Sequence, residues 1–270
     1  GALQPILALG GGGGTEAALP PMPDDATELR AWHLACMRAQ HATITDALSG
    51  ERLDALEGCV QIAVQGADAT GAPLRLGDAK GLAAWLCGLE GECALLTAGP
   101  AAGKTWLMSQ VIMHALATRV PILVKVEQLQ TRLADLEAAD DWVDAYLALT
   151  LDARHYEFLR EEMRTGRALL LLDGLDEAGV HRARLERHVA TVVARRGCTL
   201  LCTSRPAGLT EGIFDGFHQL QLAPLSDAQQ AAFLAQRLGA ARATELAPYV
   251  HGMPVDADTR RRVTANPLML

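Results

Sequence analysis

The stretch "CALLTAGPAAGKTWLMSQVIMHALA", residues 93–117, decides how the rest of the chain is read. Its opening residues are short and apolar and predict a buried strand over 93–98; its later residues carry apolar side chains at helical spacing and predict a helix over 104–117. Between them lies "AGPAAGKT", 98–105, so strand, Gly-containing loop and helix follow one another directly. At such a junction the backbone N–H groups of Ala102, Gly103, Lys104 and Thr105 can converge on phosphate oxygens, helped by the positive end of the helix dipole. Gly103 permits the backbone conformation, Lys104 supplies a charge for β- and γ-phosphates, and Thr105 offers a hydroxyl to Mg²⁺. Gly99, Ala101 and Trp106 complete the candidate nucleotide contacts. The loop departs from the usual GxxxxGK[ST] spacing: Ala98 stands where the first glycine belongs, Gly99 follows, and Pro100 removes one amide donor early in the loop.

A phosphate loop needs an oxygen ligand on a neighbouring strand, because Mg²⁺ keeps several waters that a carboxylate must orient. "RALLLLDGLDEAG", 167–179, supplies one. The leucines predict a strand buried on both faces over 167–173, ending in Asp173, which becomes the candidate metal ligand beside Thr105. Asp176 and Glu177 follow within one turn of chain. One of them can polarise an attacking water as general base, with Glu177 favoured and Asp176 its competitor. The competing reading is that the pair caps the next helix. A further strand predicted over 198–204 runs into Thr203, Ser204 and Arg205, where a polar group can sense a γ-phosphate. Arg205 takes that role here, against the default of a solvated charge or ion pair.

The remaining pattern is consistent with these motifs. Strands are predicted over 120–126 and 217–222, helical stretches between about 128 and 165, and a helix over 183–196. Strands alternating with helices imply a parallel sheet covered on both faces. After Ser226, a predicted N-cap, only helical patterns remain. Before the motif, a Gly/Pro-rich tether (1–23) precedes a helix expected over about 26–48, capped by Asp24 or Asp25, and a strand-like segment over 59–65. The expected division is therefore 1–23 tether, 24–79 helical linker region, 80–224 nucleotide-binding α/β domain and 225–270 helical subdomain. The missing initial methionine and the break within a helical pattern at 270 read as a piece of a longer polypeptide.

Composition narrows the classes. The 270 residues are 50% hydrophobic and carry a net charge of −8. That balance offers no general attraction to nucleic acid or anionic membrane, and no apolar run reaches bilayer-spanning length. The six cysteines form no CxxC pair and no zinc spacing, which suits small buried side chains in a reducing, cytoplasmic setting. His155, His181 and His188 sit among charged residues and read as surface histidines. "LREEMRTGR", 159–167, reads as a solvated helix face with Glu157–Arg160 and Glu161–Arg164 pairs.

"AGPAAGKT", "ALLLLDGLDEA", "CTSRPAGL", "LAPLSDAQ" and "NPLML" together resemble NACHT domains of the STAND class of signalling ATPases, over roughly residues 80–270. The second acidic pair in "DGLDEA" is the more specific part. The resemblance implies an α/β P-loop NTPase, a three-layer sandwich with a five-stranded parallel sheet in the order 5-1-4-3-2, followed by the start of an all-helical subdomain. It implies ATP or ADP with Mg²⁺ as ligands, Arg205 as the first sensor, and Pro267 against the base or sugar. It further implies a nucleotide-dependent switch with slow hydrolysis, self-association through this domain, and effector and ligand-sensing domains elsewhere. The alternative is an AAA-type ATPase coupling continuous turnover to remodelling of a partner. A GTPase would need an N/TKxD-type guanine-reading motif, and none follows the third strand.

Overall fold

Four consecutive leucines can be buried only if helices cover both faces of the strand that carries them, and this governs the architecture. The computed structural model describes residues 21–45, 50–58, 60–100, 102–255 and 262–265. Helix α1 (Leu29–His41) leads into a hairpin of β1 (Thr43–Thr45) and β2 (Arg52–Asp54), then a second hairpin of β3 (Val64–Ala67) and β4 (Pro73–Gly77). Helix α2 (Ala79–Gly88), β5 (Cys93–Thr97), α3 (Lys104–Ala115) and β6 (Val120–Lys125) follow. Four helices come next: α4 (Val126–Gln130), α5 (Leu133–Leu136), α6 (Trp142–Thr150) and α7 (Ala153–Arg164). Strand β7 (Ala168–Asp173), a 3-10 segment (Leu175–His181), α8 (Arg182–Thr191), β8 (Thr199–Ser204) and β9 (His218–Leu222) complete the sheet region, and α9 (Asp227–Leu238) and α10 (Ala240–His251) lie beyond it.

The central sheet has seven strands in the order β4-β3-β9-β5-β8-β7-β6. Count and complete order differ from the five-stranded expectation. The parallel part, β9-β5-β8-β7-β6, numbered by itself, runs 5-1-4-3-2. The additional pair arises because β3 joins β9 antiparallel and β4 folds back on β3. Its turn is local chemistry: Asp68 Oδ1 accepts from Thr70 N, Thr70 Oγ1 and Ala72 N. A glycine is needed at 66, since a Cβ there would lie 1.9 Å from the Gln219 carbonyl oxygen. Of the strand-like segment expected at 59–65, only Val64 and Gln65 lie in a strand, β3, which runs on to Ala67 in the same sheet as β5, and Cys59 lies outside the described residues. The result is a mixed α/β architecture around a mostly parallel sheet.

Alternate side chains of the strands feed two cores. Leu95, Ile122, Val124, Leu170, Leu172, Leu200 and Cys202 pack with α6, α7 and α8 on one face, while Leu96, Leu169, Leu171, Leu201 and Leu220 pack with α1, α2 and α3 on the other. Leu169 to Leu172 are all fully buried, each worth about 1.5–3 kcal/mol relative to exposure.

Helix α1 begins at Leu29 rather than near residue 26, because Asp25 spends its carboxylate on Thr27 N and Glu28 makes no capping bond. It packs at the β6 edge of the sheet. There His33 Nε2 lies 2.8 Å from the Pro121 carbonyl oxygen and His33 Nδ1 lies 3.0 Å from His155 Nε2. The expectation of surface histidines is corrected for two of the three. His155 is buried in this pair, and His188 is buried and stacked on Trp142, 4.2 Å between ring centroids. The charge run also divides. Glu157–Arg160 and Glu161–Arg164 form on the exposed face, but Glu162 is buried between Arg30 of α1 and Arg167.

Helix α9 opens with the expected Ser226 cap, a full capping box with Gln229. Ala55, Glu57 and Gln61 link it to α3: Gln110 donates to Ala55 O, Gln229 to Gln61 O and Gln236 to Glu57 O.

Candidate functional site

Parallel strands bring their C-terminal ends to one edge, so residues far apart in sequence collect at the tops of β5, β7 and β8. The first is the loop after β5. Ala98 N still donates to Ser204 O at 3.1 Å, continuing the β5–β8 ladder one position past the strand. This explains why alanine is accepted where a glycine was expected. Gly99 has no positive φ, and a Cβ on it would meet nothing within 4 Å. Gly103 is the demanding position, at φ +88° immediately before α3. Lys104 Nζ reaches back over the loop to Ala98 O at 3.3 Å. Thr105 is exposed at the head of α3, and Trp106 is half-buried. Ala101 and Pro267 lie outside the described residues.

The top of β7 is built by two residues beyond the acids themselves. Gly174, at φ +81°, lifts the chain over the strand end, and a Cβ there would sit 2.7 Å from Glu177 Oε2. Thr203, wholly buried on β8, donates to Asp173 Oδ1 at 2.6 Å and accepts from Gly174 N at 2.8 Å. Asp173 is thereby fixed to the neighbouring strand, with Lys125 its partner in register on β6. Burial pushes the Asp173 carboxyl above its ordinary range, opposed by the Thr203 hydroxyl and by Lys125 and Lys104.

Asp176 and Glu177 are used differently. Asp176 Oδ1 accepts from Arg205 N and its Oδ2 pairs with Arg205 Nε, both at 2.9 Å. Neither acid caps the 3-10 segment, whose N-cap position is Gly174. Glu177 is exposed, with its carboxylate folded back toward Gly174. Desolvation, then the charges of Asp173, Asp176 and Glu127, hold its carboxyl above the usual range. Lys104 is held below its ordinary value by burial and by Arg205, against the pull of Asp176, Asp173 and Glu177. Lys104, Asp173, Asp176, Glu177 and Arg205 therefore form one electrostatic cluster.

The chemistry of this donor set fits a hydrated Mg²⁺ with nucleotide phosphates. The Thr105 hydroxyl and the Asp173 carboxylate are hard oxygen donors, and a cation would relieve the cost of keeping Asp173 charged in a dry site. Among the described residues no group of three His, Cys, Asp or Glu could hold a metal by itself, and Mg²⁺ commonly relies on one or two protein ligands. A groove of about 450 Å³ on the open sheet face of β3, β4 and β9 brings none of the candidate residues together.

No family model and no curated protein matches the chain. Solved structures similar to it include that of C. elegans PCH-2, at 15% identity and a TM-score of 0.38, covering 67% of this chain and 47% of that one. Another is a STAND protein with a tetratricopeptide repeat sensor from Pyrococcus horikoshii, at 12% identity and a TM-score of 0.34, covering 63% and 26%. The chain thus spans less than half the length of either. Among the described residues no helix is long and apolar enough to cross a membrane.

Thr203, Arg182 and Glu186 are residues whose contacts sequence reasoning did not anticipate. Thr203 stood in a recognised strand-end group, but its bonds to Asp173 and Gly174 span about thirty positions. Arg182 and Glu186 had only an i,i+4 spacing, which any solvated helix can show.

Proposed function

We propose that this chain is the nucleotide-binding module of a NACHT-like switch, taking ADP or ATP with Mg²⁺ and hydrolysing ATP slowly. The observation that carries the reading is the convergence of Lys104, Asp173, Asp176, Glu177 and Arg205 around a strand–loop–helix whose glycine adopts a left-handed conformation. Lys104 would neutralise β- and γ-phosphate charge, with Ala102, Gly103 and Thr105 supplying amides and Gly99, Ala101 and Trp106 lining the loop. Thr105 and Asp173 would hold Mg²⁺, which when bound draws charge from the phosphate oxygens.

Glu177, which makes neither of the bonds that tie Asp176 to the Arg205 amide and side chain, is favoured over Asp176 as the carboxylate that takes a proton from an attacking water. Its raised affinity for protons suits that task. Arg205 would exchange Asp176 for the γ-phosphate, making the triphosphate and diphosphate states differ at the loop that carries it. Pro267 would lie against the base or sugar, and open modules would self-associate in the cytoplasm. Such a switch acts through differential contacts in two nucleotide states.

Titration of fluorescent ADP and GDP against the chain and its Lys104→Ala variant tests the reading. We expect ADP to bind and the variant to lose at least tenfold in affinity, roughly one charge-assisted contact. Equal binding by both proteins would refute the phosphate site, and preference for GDP would refute the adenine assignment. Continuous multiple turnover by the isolated chain would favour the AAA-type alternative.

A further inference from the structure

We propose that Arg182 and Glu186 form a clasp that positions Arg205 and thereby sets how strongly the site distinguishes triphosphate from diphosphate. The inference rests on the reading of Arg205 as the γ-phosphate sensor. The segment after β8 is exposed from Arg205 to Gly208 and has no strand or helix of its own until β9. A sensor on such a segment needs its backbone held from outside, because an arginine side chain adds its own rotamer freedom to any loop motion.

The first turn of α8 provides the hold. Arg182 directs Nε to Glu186 Oε1 at 2.7 Å, Nη1 to Ala207 O at 2.8 Å, and Nη2 to Ser204 Oγ and Arg205 O, each at 3.4 Å. Glu186 is fully buried, and its second oxygen accepts from Thr210 N at 3.0 Å and Thr210 Oγ1 at 2.6 Å. The chain fits closely around the guanidinium. Gly208 takes φ +78°, and a Cβ there would lie 3.1 Å from Arg182 Nη1.

The decisive feature is at Arg205 itself. Its N–H is taken by Asp176, and its C=O accepts from Ser204 Oγ at 3.0 Å and from Arg182 at 3.4 Å, so both backbone groups of the sensor are held by side chains, two of them from the segment that follows β7. With the peptide fixed at both ends, exchanging Asp176 for a phosphate requires only a swing of the Arg205 side chain. A buried ion pair is a poor source of stability compared with apolar packing of similar volume. Its planar fork gives directional control instead, which a sensor position needs and a passive loop does not. Arg182 and Glu186 touch no reacting atom in this scheme; they act through Arg205.

Two variants keep the fold while loosening the clasp. Arg182→Lys preserves a charge for Glu186 but cannot span the four acceptors of the guanidinium fork, and Thr210→Val removes one bond to Glu186 without leaving a lone buried charge. Two measurements follow: amide hydrogen exchange over 204–210, and the ratio of affinities for a non-hydrolysable ATP analogue and ADP. We expect Arg182→Lys to speed exchange at Thr210 and Arg205 about tenfold and to lower the affinity ratio about tenfold, the order of one well-made hydrogen bond to a charge. In the Arg205→Ala background the same substitution should leave the ratio unchanged. Thr210→Val should show the same pattern more weakly.

Unaltered exchange across 204–210 would overturn the clasp, and so would a change in ratio that adds in full to that of Arg205→Ala. Failure of the unsubstituted chain to bind either nucleotide would overturn the phosphate-site reading instead, and the exchange measurement would still decide whether the clasp exists.

Discussion

Thr203→Val tests the structural core of the site. Valine keeps the volume of threonine, so the buried position on β8 gains no cavity, and what is lost is one hydroxyl with two bonds. The first is the 2.6 Å donation to Asp173 Oδ1, a bond to a charged group worth about 1.5–3 kcal/mol. The second is the acceptance from Gly174 N at 2.8 Å; removing it strands a buried amide at about 1–3 kcal/mol. Together these predict a loss of about 3–5 kcal/mol at neutral pH, which for a chain of this size lowers the melting temperature on the order of 10 °C. The pH dependence separates the two contributions. Asp173 is already raised in the folded state by burial, and the hydroxyl is the first influence pulling it back down. A carboxyl raised on folding costs stability as it ionises. Its cost therefore appears as pH rises from the ordinary carboxylate range through the folded pKa, and disappears on acidification. Without the hydroxyl this cost grows. Urea unfolding of both proteins at pH 7 and under more acidic conditions should show the penalty shrinking as the pH is lowered. A penalty under about 1 kcal/mol at pH 7, the size of one ordinary neutral hydrogen bond, or one that does not shrink on acidification, would refute the reasoning.

Two other substitutions follow from single geometric facts. Gly174→Ala places a Cβ on a left-handed residue and against Glu177 Oε2. We expect about 1–2 kcal/mol of destabilisation by urea unfolding, and under the proposed function a larger fall in hydrolysis rate than in ADP affinity; normal hydrolysis would remove Glu177 from its assigned role. His33 and His155 hold folded pKa values of about 4 and about 3, lowered first by burial. The folded chain therefore refuses protons that the unfolded chain accepts, so stability is complete above the ordinary histidine range and falls as pH drops from about 6.5 toward 4. His155→Gln retains a donor for His33 but cannot titrate, so it should flatten the unfolding free energy across that window, and an unchanged slope would contradict the buried pair.

The parallel core was legible because each strand carries its own signal: unbroken apolar runs at 93–96, 120–124, 168–172 and 200–202 belong to strands buried on both faces. The loop and the acidic turn were legible for a related reason, since their glycines and charges follow directly at strand ends. The β3–β4 hairpin was not, because its strands are short, half-exposed and take their place from pairing with β9, about 150 residues away. His155 misled for a similar reason. Its neighbours in sequence are charged, while its neighbours in space are His33 and Trp32. Glu162 looks solvated in a run of charges until α1 brings Arg30 over it.

What sequence could not supply, the site uses most. Its three strand tops are joined by Ala98 to Ser204, Thr203 to Asp173 and Gly174, and Arg205 to Asp176, every one of them a polar link between segments far apart in the chain. Strand β8 takes part in the first two links and the residue directly after it in the third. The loop that would hold phosphate, the carboxylate that would hold metal and the arginine that would sense the γ-phosphate are thus fixed relative to β8 rather than to one another. A change that shifts the end of β8 by a fraction of an ångström must move all three, because hydrogen bonds of this length tolerate little displacement. A change at the tip of the loop after β5 need move only one. Under the proposed function, substitutions at Thr203 and Ser204 should therefore disturb nucleotide binding and hydrolysis together, whereas substitutions within 99–102 should separate them.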